Sequence, residues 1–203
     1  MNDLKSTYNR IAEDWFKDHQ EDTWWVSGTD KFISFLGPGD LVLDVGCGAG
    51  VKSKYLANKG LKVIGIDLSD KMIEIARKEV PDAKFLVADI NEPLQMDEKF
   101  DGIFAQAVLL HISKKDIKTV IHNLINQLKP KGYFYIAVKG LKKGQPEEEI
   151  IKENDYGYEY KRFFSLYTQE ELVGYLTELG MAIVYNEIVL TGDTEWIQVI
   201  AQK

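Results

Sequence analysis

The sequence predicts an α/β protein: a doubly wound, mostly parallel seven-stranded sheet with an antiparallel C-terminal strand. Three observations carry this prediction. Short apolar runs alternate with helical stripes from residue 41 to residue 138. A glycine-rich segment sits where the first run hands over to a helix. The last two runs are joined by only Thr191-Gly192-Asp193-Thr194, a link too short for a parallel crossover.

Taken in order, Leu4, Tyr8, Ile11 and Trp15 recur at helical spacing and predict an amphipathic N-terminal helix. A second helix carries Phe32, Ile33 and Leu36 and stops at Gly37-Pro38-Gly39. Residues 41–45, 62–66, 84–88, 101–105 and 133–138 then read as strands, because short continuous apolar runs suit strands buried on both faces. Ile117, Val120, Ile121, Leu124, Ile125 and Leu128 form one apolar helical stripe, with Ser113 as its expected cap and Pro130-Lys131-Gly132 as its stop. Thr168-Gln169-Glu170-Glu171 is a capping box that opens a last helix, closed by Gly180. Residues 181–190 and 195–201 make the final antiparallel pair. Strands and helices alternating in this way imply right-handed crossovers.

With 203 residues, 45% of them apolar and 28% charged, the composition is that of one globular domain. No apolar run nears the roughly 20 residues that cross a bilayer, and Met1 to Lys5 do not read as a signal peptide, so the cytoplasm is the expected location and no membrane partner is expected. The one cysteine, Cys47, excludes an internal disulfide, and with three histidines it is a poor basis for a structural zinc site, so no metal is expected. The net charge of −7 argues against a nucleic-acid partner, whose phosphates call for a basic face.

The chemistry centres on Asp44-Val45-Gly46-Cys47-Gly48-Ala49-Gly50. Glycines at a strand-to-helix turn let the backbone approach a ligand. The dinucleotide fingerprint G-x-G-x-x-G would need glycine at Val51. An acid beside the loop suits a sulfonium or ammonium group better than a pyrophosphate. This segment resembles the cofactor loop of the class I S-adenosylmethionine-dependent methyltransferases. The resemblance covers about residues 38–139 and implies a Rossmann-like fold and methyl transfer from S-adenosyl-L-methionine.

Further segments follow in the family's order. Asp67 ends the second strand, where a carboxylate can accept from both ribose hydroxyls; an acid there also caps the next helix, at Ser69-Asp70. By resemblance, Asp44, Gly46, Cys47, Gly48, Gly50, Leu68, Met72, Asp89, Ile90 and the backbone at Ala105 are expected at the cofactor, with Asp89 accepting from the adenine amino group. Met72 reads equally as core filler, and Asp89 as a solvated loop acid. His111 is the candidate general base, set against a plain capping role.

The chain therefore reads as one domain over 1–203: an N-terminal helical cap over 1–37, a cofactor-binding core over 38–139, a variable insertion and possible lid over 140–167, and a terminal helix and strand pair over 168–203. Aromatic residues outside the core supply candidate walls for a small-molecule acceptor: Tyr8, Trp24, Trp25, Tyr160 and Phe164. Methylation of a protein side chain, or a cofactor-binding regulator without catalysis, are the alternatives that the sequence leaves open. Neither the acceptor nor the oligomeric state can be read from it.

Overall fold

The computed structural model describes residues 4–203; Met1 to Asp3, the start of the stretch read as lacking a signal, lie outside the described residues. The chain runs α1 (Leu4–His19), α2 (Val26–Ile33), β1 (Leu41–Val45), α3 (Val51–Asn58), β2 (Lys62–Asp67), α4 (Asp70–Glu79), β3 (Lys84–Val87), β4 (Phe100–Gln106) and a 3₁₀ turn (Leu109–His111). It continues with α5 (Ile117–Ile125), β5 (Leu128–Lys139), β6 (Glu148–Glu153), β7 (Tyr160–Ser165), α6 (Gln169–Glu178), β8 (Ala182–Thr191) and β9 (Thr194–Gln202).

Seven strands form one sheet in the order β3-β2-β1-β4-β5-β9-β8. The first five are parallel, and β9 lies antiparallel to both of its neighbours; the short link before it requires this for β8. Alternation along the strands divides the core into two layers. Leu43, Ile64, Ile103 and Phe134 pack on α5 and α6, while Val42, Val63, Phe104 and Tyr135 pack on Phe32 of α2 and Leu56 of α3. Successive residues thus serve opposite layers, which is why these strands read as unbroken apolar runs.

Two local expectations are corrected. The α5 stripe ends at Ile125, and Leu128 already belongs to β5. Pro130 lies in the irregular start of that strand, where the β4 pairing jumps from Phe100↔Leu128 to Gly102↔Tyr133. Lys131 there has φ +65°. A proline fits because the ladder needs no N–H at that point, so the segment is a bulge and not a helix stop. Ser113 does not cap α5 with its side chain: its hydroxyl donates to the Asp116 carboxylate, and its carbonyl accepts from the Asp116 and Ile117 amides. The Thr168 cap is present, with Thr168 Oγ1 accepting from the Glu171 amide.

The 140–167 insertion contains a separate antiparallel hairpin, β6–β7. Tyr156 and Tyr158 fall in its connecting turn, and Tyr160 opens β7. The hairpin is tied to α1: Thr7 donates to the Lys161 carbonyl, Arg10 to the Glu159 carbonyl, and the Tyr158 hydroxyl to Asp14. In turn α1 packs on α4, where Ala12 meets Met72 and Ile75, and Asn9 accepts from Ser69 and from the Lys71 amide. Helix and hairpin therefore form one cover over the carboxyl ends of the strands.

Candidate functional site

Strand order reverses between β1 and β4, and a doubly wound sheet opens a crevice at the carboxyl ends of two such strands. The loop after β1 fills one side of it. Gly46, at φ +67°, lies so close to β4's exit that an added Cβ would stand 2.5 Å from Val108 Cβ. Both Gly46 and Cys47 amides donate to the Ile66 carbonyl, at 2.8 and 3.0 Å, which fixes the loop's height above the sheet. Gly50, at φ +84°, is the N-cap of α3 and packs against Ala76 of α4. On the other side, Ala107 adopts φ +58°, an uncommon backbone state for a residue with a Cβ, and turns the chain sharply after β4.

Asp44 is buried at the end of β1, where the Ser53 hydroxyl donates to it at 2.5 Å. Burial pushes its carboxyl up to about 6, against the Ser53 bond and the nearby Lys52 charge, which pull it down. The folded chain therefore holds that proton more tightly than the unfolded chain does, and a stability cost accumulates as pH rises from about 4 through 6. Asp44→Asn is expected to raise the Tm at pH 7 by several degrees, ~3 kcal/mol at most. The difference should close at pH 4, where Asp44 is protonated, and a gap that does not change with pH would contradict the assignment. A carboxylate retained at such a cost supplies negative charge beside the loop.

Asp67 ends β2 with both oxygens oriented: Oδ2 accepts from the Gly48 amide at 2.9 Å and Oδ1 from the Ser69 amide at 2.8 Å. Ser69 Oγ then caps α4 through the Met72 amide. The two readings of this acid thus combine, since one carboxylate orders the loop, starts the helix and still lines the cavity. Asp89 binds its own turn through the Asn91 amide and side chain. A cavity of about 1090 Å³ joins Gly46, Asp67, Leu68, Asp89 and Ile90 to Tyr8 and His111.

At its far end Tyr8 Oη lies 2.8 Å from His111 Nε2, and His111 Nδ1 lies 2.7 Å from the Phe163 carbonyl. A carbonyl only accepts, so Nδ1 carries the proton and the Tyr8 hydroxyl donates to Nε2. Burial holds His111 neutral, its pKa pushed down to about 3. Burial also raises the Tyr8 hydroxyl's pKa, while the Arg162 charge lowers it.

Several predicted site residues sit elsewhere. Met72 is buried against Ala12, Ala49 and Ile75, so its side chain is core and not an adenine contact. Trp24 stacks on Trp196 with centroids 4.3 Å apart, and Trp25 meets Tyr55 edge-on at 5.2 Å; neither lines the cavity. Tyr160 and Phe164 are buried, because β7 alternation turns them inward and leaves Phe163 to face the cavity. The side chain of Cys47 is buried beside Gly65, Gly48 contributes its amide to Asp67, and Ala105 is buried within β4. The sequence reading missed Ala107, Val108 and Phe163 as cavity residues. Only Phe163 left a usable signal, as the alternate partner of Phe164. Among the described residues no cluster of His, Cys, Asp and Glu could hold a metal ion, and no helix is long and apolar enough to cross a membrane.

Residues 42–132 match the model of a methyltransferase domain family. Phosphoethanolamine N-methyltransferase 1 of Zea mays is 36% identical over 159 residues, which are 73% of this chain and 30% of the maize protein. The chain thus aligns with under a third of the length of that relative. A S-adenosylmethionine-dependent methyltransferase of Methanosarcina mazei superposes with a TM-score of 0.74 at 25% identity, covering 84% of this chain and 95% of that one. The 1,6-didemethyltoxoflavin-N1-methyltransferase of Burkholderia thailandensis, crystallised with 1,6-didemethyltoxoflavin and S-adenosylhomocysteine, gives 0.79 at 20% identity over 98% of this chain and 87% of its own. At that identity the likeness speaks for the fold alone. The chain is thus similar to S-adenosylmethionine-dependent methyltransferases over its core and has their Rossmann-like fold.

Proposed function

We propose that this chain transfers a methyl group from S-adenosyl-L-methionine to a small-molecule nitrogen or oxygen nucleophile. The observation that carries the reading is the single cavity linking the Gly46 loop, Asp67 and Asp89 to the Tyr8–His111 pair. The donor set fits the cofactor: Gly46 leaves room that a Cβ would fill, Asp44 supplies negative charge, Asp67 can accept from ribose hydroxyls and Asp89 from the adenine amino group. When bound, the cofactor supplies an electrophilic methyl group on a sulfonium. The chain's own task is to align the reactants and keep water out, a contribution of several kcal/mol. The cover made by α1 and the hairpin suits the second part.

Tyr8 and His111 handle the acceptor's proton. It passes to the Tyr8 oxygen while the Tyr8 proton moves to His111 Nε2. His111 is a weak base, so the pair suits an acceptor that turns acidic as it is methylated. An amine nitrogen does so, because it attacks through its lone pair and its N–H becomes acidic afterwards. The name of the maize protein, an N-methyltransferase, agrees with such an acceptor. The net charge of −7 favours a small molecule over a nucleic acid, and the single reduced Cys47 fits the cytoplasm.

Incubation with a metabolite extract and methyl-labelled cofactor is expected to give labelled small molecules and S-adenosylhomocysteine. Label in the protein fraction, or tight cofactor binding with no turnover, would overturn the reading. Tyr8→Phe should cut labelled product about 100-fold and leave S-adenosylhomocysteine affinity within two-fold of native.

A further inference from the structure

Arg162 entered the site above only as a charge acting on Tyr8, directly behind which it is buried. Its Nε and Nη2 donate to the Glu153 carboxylate across the hairpin at 2.6 and 2.5 Å, and its Nη1 donates to Tyr8 Oη at 3.3 Å. Trp15 and Phe164 flank the guanidinium, their ring centroids 4.8 and 5.2 Å from Cζ. A buried ion pair adds little stability over apolar residues of the same size, so packing alone accounts poorly for it.

The inventory of donors and acceptors accounts for it better. A guanidinium only donates, and a carbonyl only accepts. With Arg162 at one end and the Phe163 carbonyl at the other, each proton between them has one place: the Tyr8 hydroxyl points at His111 Nε2, and the imidazole proton sits on Nδ1. We propose that Arg162, clamped by Glu153, is a positioning residue: its N–H occupies one lone pair of Tyr8 Oη and holds the hydroxyl on His111 Nε2, while the Phe163 carbonyl fixes the tautomer. Tyr8 then keeps a lone pair for the proton of the acceptor. The bidentate Glu153 holds the guanidinium fork in the orientation that reaches Tyr8. The inference rests on the reading of Tyr8 and His111 above.

The test is ¹⁵N-histidine NMR of the whole chain near neutral pH, recorded with and without S-adenosylhomocysteine; the chain has three histidines. The native protein should show one histidine locked as the neutral Nδ1–H form with its Nε2 accepting a strong hydrogen bond. Tyr8→Phe should erase the Nε2 hydrogen-bond signature. Glu153→Gln with Arg162→Met, which removes both charges together, should weaken the Nε2 hydrogen-bond signature of the same histidine while its Nδ1–H form persists. Arg162→Lys, which keeps a donor, should restore at least part of the native signal. If the double variant unfolds, Arg162→Gln replaces it, since it can still meet Glu153 but is too short to reach Tyr8. A folded variant without the Arg162–Tyr8 contact that keeps the native His111 signal would overturn the proposal. Loss of S-adenosylhomocysteine binding by the native chain would instead sink the methyltransferase reading, and the ligand-free spectra would still decide the role of Arg162.

Discussion

Gly46→Ala is expected to weaken S-adenosylhomocysteine binding at least 30-fold, ~2 kcal/mol or more, in a protein that still folds. Two independent causes act at this one position. The added Cβ would stand 2.5 Å from both Cβ and Cγ2 of Val108, and the backbone φ of +67° disfavours any residue with a side chain. A shift of the loop is resisted, because the Gly46 and Cys47 amides are both held by the Ile66 carbonyl. Either the loop shifts or β4's exit does, and both border the cavity. Calorimetric titration with S-adenosylhomocysteine measures the effect. Adding Val108→Ala should recover part of the affinity by removing the clash, while the backbone term remains. Native-like affinity in the single variant would mean that the ligand does not approach this loop.

The second large effect is expected at Asp67. Asp67→Ala should lower affinity for S-adenosylhomocysteine about 100-fold, ~3 kcal/mol. The Gly48 and Ser69 amides lose their acceptor, so the loop loosens and the start of α4 loses an anchor, in addition to any contact with ribose. Asp67→Asn should be milder, since its amide oxygen still accepts one bond. Asp89→Ala should also cost less, because the carboxylate of Asp89 serves only its own turn within the protein. Equal losses at the two acids would show that Asp67 has no structural share in the site. No loss at either would place the adenosine elsewhere.

These expectations fit a site maintained against stability. Asp44 is a carboxyl held at about 6 by burial, Ala107 adopts a strained backbone, and Arg162 and Glu153 form a largely buried ion pair within the cover. Each departs from what stability alone would select, and each lies within the Gly46 loop, the exit of β4 or the Tyr8–His111 pair.

The sequence by itself determined the sheet and the half of the site that follows β1, β2 and β3. Apolar runs such as Leu41 to Val45 can be satisfied only by burial on both faces, and the glycines and acids at their ends are local signals, each read from its own few residues. It also determined the antiparallel β8–β9 pair, because a short link leaves the chain no other path. Only the tertiary structure decided which aromatic rings face the cavity and what surrounds His111. One residue of register separates Phe163 from Phe164 in β7, and composition carries no information about register. Tyr8, His111, Phe163 and Arg162 meet across sequence separations of 52 to 154 residues. That meeting depends on α1 docking against α4 and on the hairpin leaning on α1, through contacts such as Asn9 with Ser69 and Tyr158 with Asp14. Local periodicity does not encode such long-range pairings, which form only when separate elements bury their surfaces against one another.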